Sequence, residues 1–163
     1  MKKFIQKSNL DEDMSPKMEW ISANDFDGVL LIESPGKEEF DEIVNSFCEK
    51  PMGFELAHCQ FDGDLSYSQI DNRDDLFQGF FDHSYEEVFV NIIFQYENAV
   101  MWLPSEHKFY IVFARKTFLK KNRAININKL RQVATSFSRE PYFTAMDKKY
   151  ISESIEKYFT LGR

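Results

Sequence analysis

Glycine, proline and cysteine are all scarce in this chain, which has 6 Gly, 5 Pro and 2 Cys among 163 residues. So few glycines and prolines argue against long flexible linkers, and no tandem repeat is visible. Hydrophobic residues make up 43% of the chain and aromatic residues 16%, which excludes general disorder although 29% of the residues are charged. We therefore expect one folded domain over residues 1–163 with a substantial core.

Signals for export and membrane insertion are also lacking. The N-terminus begins with lysines, but the apolar segment of a secretory signal does not follow them. The longest nearly apolar run, residues 88–94, is too short to cross a bilayer. Without an export signal, Cys48 and Cys59 fit free thiols in a reducing compartment better than a disulfide, and whether both are free stays open. The sequence predicts a cytoplasmic protein that does not associate with membranes.

Catalytic motifs are absent as well. The three histidines, His58, His83 and His107, lie in no hydrolase signature. No Gly-Lys-Ser/Thr phosphate loop occurs. Carboxylates are so abundant that any pair could be nominated as acid and base, so such a pair indicates nothing. We therefore expect no enzymatic activity.

Two short stretches resemble metal sites in part. His58 and Cys59 are adjacent in a predicted strand and so point to opposite faces, which predicts a surface histidine and a buried thiol instead of a zinc site. Residues 62–64 begin like a calcium loop. However, Tyr67 stands where the turn glycine is needed and Arg73 where the bidentate glutamate is needed. Neither a metal nor a cofactor is expected.

Hydrophobic periodicity predicts an α+β fold, in which helices pack on an antiparallel sheet. The centre of the sheet is a meander over about residues 87–114, rich in β-branched and aromatic residues. One helix is predicted in the N-terminal half, at residues 37–50, because apolar residues recur there at helical spacing. Two C-terminal helices are predicted at residues 127–137 and 147–160, and Val133 of the first is expected to face the core.

The remaining elements are less regular. Two further strands are predicted at residues 28–33 and 54–61. Residues 62–82 are acidic and predicted to be irregular, apart from a short helical piece near residues 73–80. Residues 116–123 are predicted to be a basic connection.

Charge is sorted by position along the chain. Residues 1–100 contain 22 acidic and 7 basic residues, a net charge of −15, whereas residues 101–163 contain 5 acidic and 13 basic residues, a net charge of +8. Solubility requires only an unbalanced total and no such separation. The acidic half is therefore expected to meet a cationic partner.

A partner-binding surface is predicted from the acidic helix and the acidic segment that follows it. Ionised carboxylates steer a basic partner and speed its association, and aromatic side chains such as Trp102 are typical anchors of interfaces. The predicted partner-binding residues are Glu38, Asp41, Glu42, Asp62, Asp64, Tyr67, Asp71, Asp74, Asp75 and Phe77.

The basic segment at residues 115–139 leaves an alternative open. Its cations, with Phe118 among them, could neutralise the phosphates of a nucleic acid. The net charge of −7 argues against this reading, because the acidic surface would repel the same polyanion. The same charges could also simply balance the acidic half. The basic residues concerned are Arg115, Lys116, Lys120, Lys121, Arg123, Lys129, Arg131 and Arg139.

The strand-turn-strand stretch at residues 99–113, AVMWLPSEHKFYIVF, resembles bacterial immunity proteins, several families of which have a Trp-x-Pro strand end before a short turn and an aromatic strand. The likeness is to immunity proteins of contact-dependent growth inhibition and related polymorphic-toxin systems. It implies a non-enzymatic protein that binds a cognate toxin domain, often a basic nuclease, and blocks it. No partner-binding residue is carried over from that family, and the oligomeric state stays open.

Overall fold

The computed structural model describes residues 5–33, 36–47, 54–59, 64–71, 75–78, 92–96, 98–103 and 109–160. It confirms the α+β class: the strands form one six-stranded antiparallel sheet in the order β1-β6-β5-β4-β2-β3, with helices packed on it. The strands are β1 (Phe26–Glu33), β2 (Phe54–Cys59), β3 (Leu65–Ile70), β4 (Ile92–Tyr96), β5 (Ala99–Leu103) and β6 (Phe109–Arg115). The helices are α1 (Met18–Ala23), α2 (Lys37–Phe47), α3 (Lys116–Lys121), α4 (Ile127–Phe137) and α5 (Ala145–Tyr158).

Over the described residues the predicted meander is confirmed as β4, β5 and β6, each antiparallel to the next. The predicted residues 87–91, 97 and 104–108 lie outside the described part of the chain. β1 adds to β6, with Phe26 opposite Arg115 and Glu33 opposite Phe109. Both strands are buried along almost their whole length, which explains why they read as continuous apolar runs. The helix predicted at 37–50 is α2, ending at Phe47 in the described part of the chain. Residues 48–50, which include Cys48, lie outside it.

Two predictions about irregular segments were wrong. Residues 65–70 form β3, paired along its length with β2 at the edge of the sheet. Its side chains alternate between more and less exposed, a strand signal hidden by the acidic composition around it. Residues 116–121 form α3 because two apolar side chains, Phe118 and Leu119, are buried against the sheet. Asp25 accepts a hydrogen bond from the Thr117 amide at 3.2 Å and so supports the start of that helix.

The sheet has a helical layer on each face. On the face that we call the closed face, residues 5–23, α5 and the C-terminal half of α4 cover an aromatic core. On the opposite face, which we call the open face, α2, α3 and the start of α4 pack over the sheet with Leu76 and Phe77 beside them. α4 therefore lies along the β1 side of the molecule and contributes to both layers.

The closed face is densely aromatic. Phe109 packs edge-on against Phe143 with ring centroids 5.0 Å apart, and Phe113 against Tyr158 at 5.1 Å. Trp102 is 3% exposed and belongs to this core, so the expectation that it anchors an interface was wrong. The prediction that His58 lies on the surface was also wrong, because that side chain is 6% exposed.

A buried ion pair joins β1 to α4. Asp27 on β1 is fully buried and accepts hydrogen bonds from the Thr160 amide at 2.9 Å and from Arg131 Nη2 at 3.4 Å. Gly28 beside it leaves room for Phe159, since a Cβ at this position would lie 2.5 Å from that ring. The segment after α5 is thereby held against β1. No helix in the described part of the chain is long and apolar enough to cross a membrane.

Candidate functional site

A groove of about 590 Å³ lies on the open face, between α2 and α4. Its floor is apolar and comes from β1, α2, α4 and the turn that precedes α4. This volume lies within the range of ordinary ligand pockets and can also take side chains from a protein partner. The floor residues are Leu30, Ile32, Ile43, Phe47, Ile125, Leu130 and Phe137.

The α2 wall of the groove follows from the amphipathic sequence of this helix. Ile43 and Phe47 are buried on the side toward the sheet. Glu39, Glu42 and Ser46, spaced three and four positions apart, share the neighbouring stripe and line the groove. The helix therefore presents two exposed carboxylates along the edge of an apolar floor.

The α4 wall is built the same way. Leu130, Val133 and Phe137 line the groove at spacings of three and four residues, while Ala134 on the next stripe is fully buried on the closed face. Val133 is 41% exposed, so the prediction that it faces the core was wrong. Its position on the second apolar stripe of α4 places it at the mouth of the groove.

Charges of opposite sign line the groove. Glu33, Glu39 and Glu42 come from β1 and α2, whereas Lys129 comes from α4. Within the described residues, none of these four charged side chains forms an ion pair. Their charges are thus available to a molecule that enters the groove, with the carboxylates in excess.

An exposed tyrosine extends this site. Tyr142 is 65% exposed and packs against Phe143 with ring centroids 4.4 Å apart. Partial loss of solvation, together with the carboxylates of Glu33 and Glu140, raises the pKa of Tyr142 above its ordinary value. Glu33 is therefore close to both the groove and Tyr142, which adds an aromatic side chain next to the acidic edge.

The acidic residues predicted on α2 divide between two sides of the helix. Glu42 lines the groove, and Glu38 is exposed in the first turn. Asp41 lies toward the other side and pairs with Lys37 at 2.8 Å. Phe77 is next to this pair, because its ring packs edge-on against Phe40 at 5.4 Å and lies below Lys37.

Two of the predicted residues on and before β3, Tyr67 and Asp64, do not share the α2 surface. Tyr67 is 52% exposed, and its hydroxyl donates to the Ile5 carbonyl at 2.9 Å, in the layer that covers the closed face. Loss of solvation raises the pKa of this phenol. Asp64 forms an exposed ion pair with Lys7 at 3.3 Å. Asp71 and Asp75 are exposed, and Asp62 and Asp74 lie outside the described residues.

The basic segment is divided by the fold. Arg115 stacks on Phe26 at 5.3 Å and donates to the Asn24 carbonyl, and Arg131 is committed to the buried Asp27. Phe118 is 7% exposed and belongs to the core. The cations that remain fully exposed are Lys120, Lys121, Arg123, Lys129 and Arg139.

A serine and a lysine meet elsewhere, on the closed face, without forming a nucleophilic pair. Lys157 Nζ donates to Ser15 Oγ at 3.1 Å and to Asp11 at 3.1 Å. Burial lowers the pKa of Lys157, but hydrogen bonds and the charges of Tyr158 and Asp11 outweigh it and raise that pKa overall. A lysine held in its charged form cannot act as a general base, so this cluster ties the N-terminal segment to α5. In the described part of the chain, His, Cys, Asp and Glu side chains form no group of three that could hold a metal ion.

Comparison of the chain with protein-family models, with curated proteins and with solved structures gives no match in any of the three. The groove itself therefore carries the functional argument. Sequence reasoning missed Glu33, Glu39 and Tyr142 as site residues, and it named Lys129 only for the nucleic-acid alternative. The signal that could have found the groove is on α4, which carries two neighbouring apolar stripes although one is enough to pack a helix on a sheet.

Proposed function

We propose that this protein is a cytoplasmic, toxin-neutralising immunity protein that captures a basic toxin domain, with a cationic segment of that domain docked in the groove between α2 and α4. The observation that carries the proposal is the groove's apolar floor edged by Glu33, Glu39 and Glu42, none of which is ion-paired within the described structure. The resemblance of residues 99–113 to immunity proteins supports the same conclusion.

The chemistry of the groove defines what the partner presents. An apolar or aromatic side chain would fill the floor beside Ile43 and Phe47 and supply most of the affinity. A lysine or arginine next to that side chain would reach Glu39 and Glu42, which favours fast association and a correct register. Inhibition then follows from steric blocking, and no catalytic group is required of this chain.

The alternative function, binding of nucleic acid through residues 115–139, has weaker support. Arg115 and Arg131 are used inside the fold, which leaves fewer cations for phosphates. Lys129 shares its groove with three carboxylates that would repel a polyanion. Four of the five exposed cations lie at the end of α3, in the turn that follows it and at the start of α4, so this surface is a candidate for weak binding at low salt.

The proposal is tested by affinity capture from the host at low salt and at about 0.5 M salt, where screening shortens electrostatic interactions to a few Å. The captured protein is then purified, and its toxicity is measured with and without this chain. A basic protein that is retained at both salt concentrations and neutralised at equal molarity supports the proposal. Recovery of nucleic acid alone would contradict it.

The surface is tested with Glu39→Lys/Glu42→Lys in binding to the purified partner. We expect the association rate to fall by about tenfold or more, because steering by the two carboxylates is reversed. The matched control is Glu153→Lys/Glu156→Lys, which makes the same charge change at the same spacing on exposed positions of α5. Equal losses in the two variants would show that net charge matters and the groove does not.

A further inference from the structure

Within the described residues, the groove between α2 and α4 leaves apolar surface open on the face of the sheet opposite the aromatic core. Val133 is 41% exposed at its mouth and Tyr142 is 65% exposed beside it, two of the four large hydrophobic side chains that are exposed in the described structure. Apolar surface left in water lacks the stabilisation that it would gain if a partner covered it. Contiguous apolar surface of this kind usually marks an interaction site.

The charges around the groove are self-complementary. Carboxylates line the α2 side and Lys129 lines the α4 side, with the exposed Arg123 directly before the lining residue Ala124. In a two-fold dimer, each contact between two different residues occurs twice, since residue i of one copy meets residue j of the other and the reverse also holds. A surface with an acidic side and a basic side can therefore pair with a second copy so that both pairs of sides attract each other.

We propose that a second copy of this chain covers the groove, with α4 of each copy lying against α2 of the other across a two-fold axis near Val133. Val133 then packs against the apolar floor of the opposite groove, beside Ile43 and Phe47. Lys129 of each copy faces Glu39 and Glu42 of the other. This inference does not rest on the proposed function, although a dimer of this kind would cover the groove until a toxin domain displaces it.

A second copy satisfies both signs of charge, which other occupants do not. A nucleic acid would meet Glu33, Glu39 and Glu42, and an anionic lipid surface would meet the same repulsion. A cationic segment, as proposed for the toxin domain, gains from the three carboxylates but gains nothing from Lys129 and Arg123. Only a partner with a basic side and an acidic side in the matching arrangement is attracted to both sides of the groove. A second copy of this chain has that arrangement.

The test is sedimentation velocity of the purified full chain from micromolar to near-millimolar concentration. We expect a monomer–dimer equilibrium that weakens at high salt. Val133→Asp should abolish the dimer, since it places a carboxylate at the axis. The control Glu153→Lys/Glu156→Lys should leave the dimer intact. A wild-type chain that stays monomeric throughout, or a dimer that survives Val133→Asp, would overturn the proposal.

A charge swap between the two sides of the groove tests the proposed pairing more specifically. Glu39→Lys/Glu42→Lys makes both sides of the groove basic, and Arg123→Glu/Lys129→Glu makes both sides acidic. Each variant alone should dimerise more weakly than the wild type, with a dissociation constant raised by about tenfold or more. An equimolar mixture of the two should form a heterodimer. Circular dichroism confirms that each variant is folded, and a mixture that stays monomeric would contradict the proposed pairing. No toxin domain is present, so failure here is separate from failure of the proposed function.

Discussion

The two faces of the sheet differ in how completely the layers packed on them cover their apolar surface. On the closed face, residues 5–23 and α5 cover an aromatic core, and polar contacts such as that of Lys157 with Asp11 fasten the layer at its rim. On the open face, α2 and α4 stand apart and leave an apolar groove between them. The comparison teaches that the closed face contributes mainly stability, whereas the open face keeps apolar surface available for a partner. Val133 and Ala134 are adjacent on α4, yet Val133 lines the open groove and Ala134 lies in the closed-face core.

The largest expected difference between the two faces comes from placing an aspartate at each of two neighbouring positions of α4. Ala134→Asp buries an unpaired carboxylate on the closed face, where Ala134 is fully buried, and should cost about 4 kcal/mol or more of the free energy of unfolding. Val133→Asp enters the open groove and should cost about 0.5 kcal/mol or less. Urea denaturation of both variants at low protein concentration measures the difference. Similar losses would show that the groove is closed in solution.

The next contrast is between two ion pairs. Asp27→Ala leaves Arg131 charged and nearly buried without its partner, so we expect a loss of about 3–5 kcal/mol. Asp41→Ala removes an exposed pair with Lys37 on the open face, and a loss of about 0.5 kcal/mol or less is expected. Thermal and urea unfolding report both values. If Asp27→Ala unfolds no more easily than Asp41→Ala, the buried pair does not hold the end of the chain.

A smaller contrast concerns two glycines. A Cβ on Gly28 would lie 2.5 Å from the Phe159 ring and 3.0 Å from the Tyr158 carbonyl oxygen, so Gly28→Ala should cost about 1–3 kcal/mol through overpacking. A Cβ on Gly36, which precedes α2, meets no atom within 4 Å. Gly36→Ala should therefore change the stability by less than about 1 kcal/mol. Equal effects would mean that Phe159 moves aside at little cost.

The smallest expected effect is a pH dependence on the closed face. Burial raises the pKa of Asp13, but hydrogen bonds from the Ser15 side chain and amide and the charge of Lys157 lower it overall. A carboxylate whose pKa is lower in the folded state stabilises that state above its ordinary pKa. This contribution is lost as the pH falls from the ordinary pKa through the lowered one. The stability difference between the wild type and Asp13→Asn should therefore shrink below about pH 4. A difference that stays constant between pH 6 and about pH 3 would contradict the shift.

Regular patterns of the sequence predicted most of the sheet and the helices. The meander, α2 and the two C-terminal helices follow from runs of β-branched residues and from apolar stripes at helical spacing. β3 and α3 were not predicted, because their acidic and basic composition hides their short periodic patterns. Val133 was assigned to the core because periodicity identifies an apolar stripe but not what lies opposite to it.

The candidate site could be predicted from the sequence only in part. Glu38, Asp41 and Glu42 were correctly placed on one helix, but their division between two sides depends on which flank of α2 meets α4. Tyr67 and Asp64 were predicted to share a surface with α2 because their segment, which follows α2 in the chain, is also acidic. In the sheet order, however, β3 is at the edge and Tyr67 contacts the layer on the other face. Nearness in sequence is a poor guide once strands from distant segments pair.

By itself, the sequence determined the α+β class, the amphipathic helices and the separation of charge along the chain, because these depend on local spacing and composition. Only the tertiary structure decided how the charges are used. It buried Arg131 against Asp27 and placed Glu39, Glu42 and Lys129 around one groove. The physical reason is that an electrostatic interaction depends on distance and burial in three dimensions, which the packing of α2 and α4 on the sheet fixes and the order of residues does not.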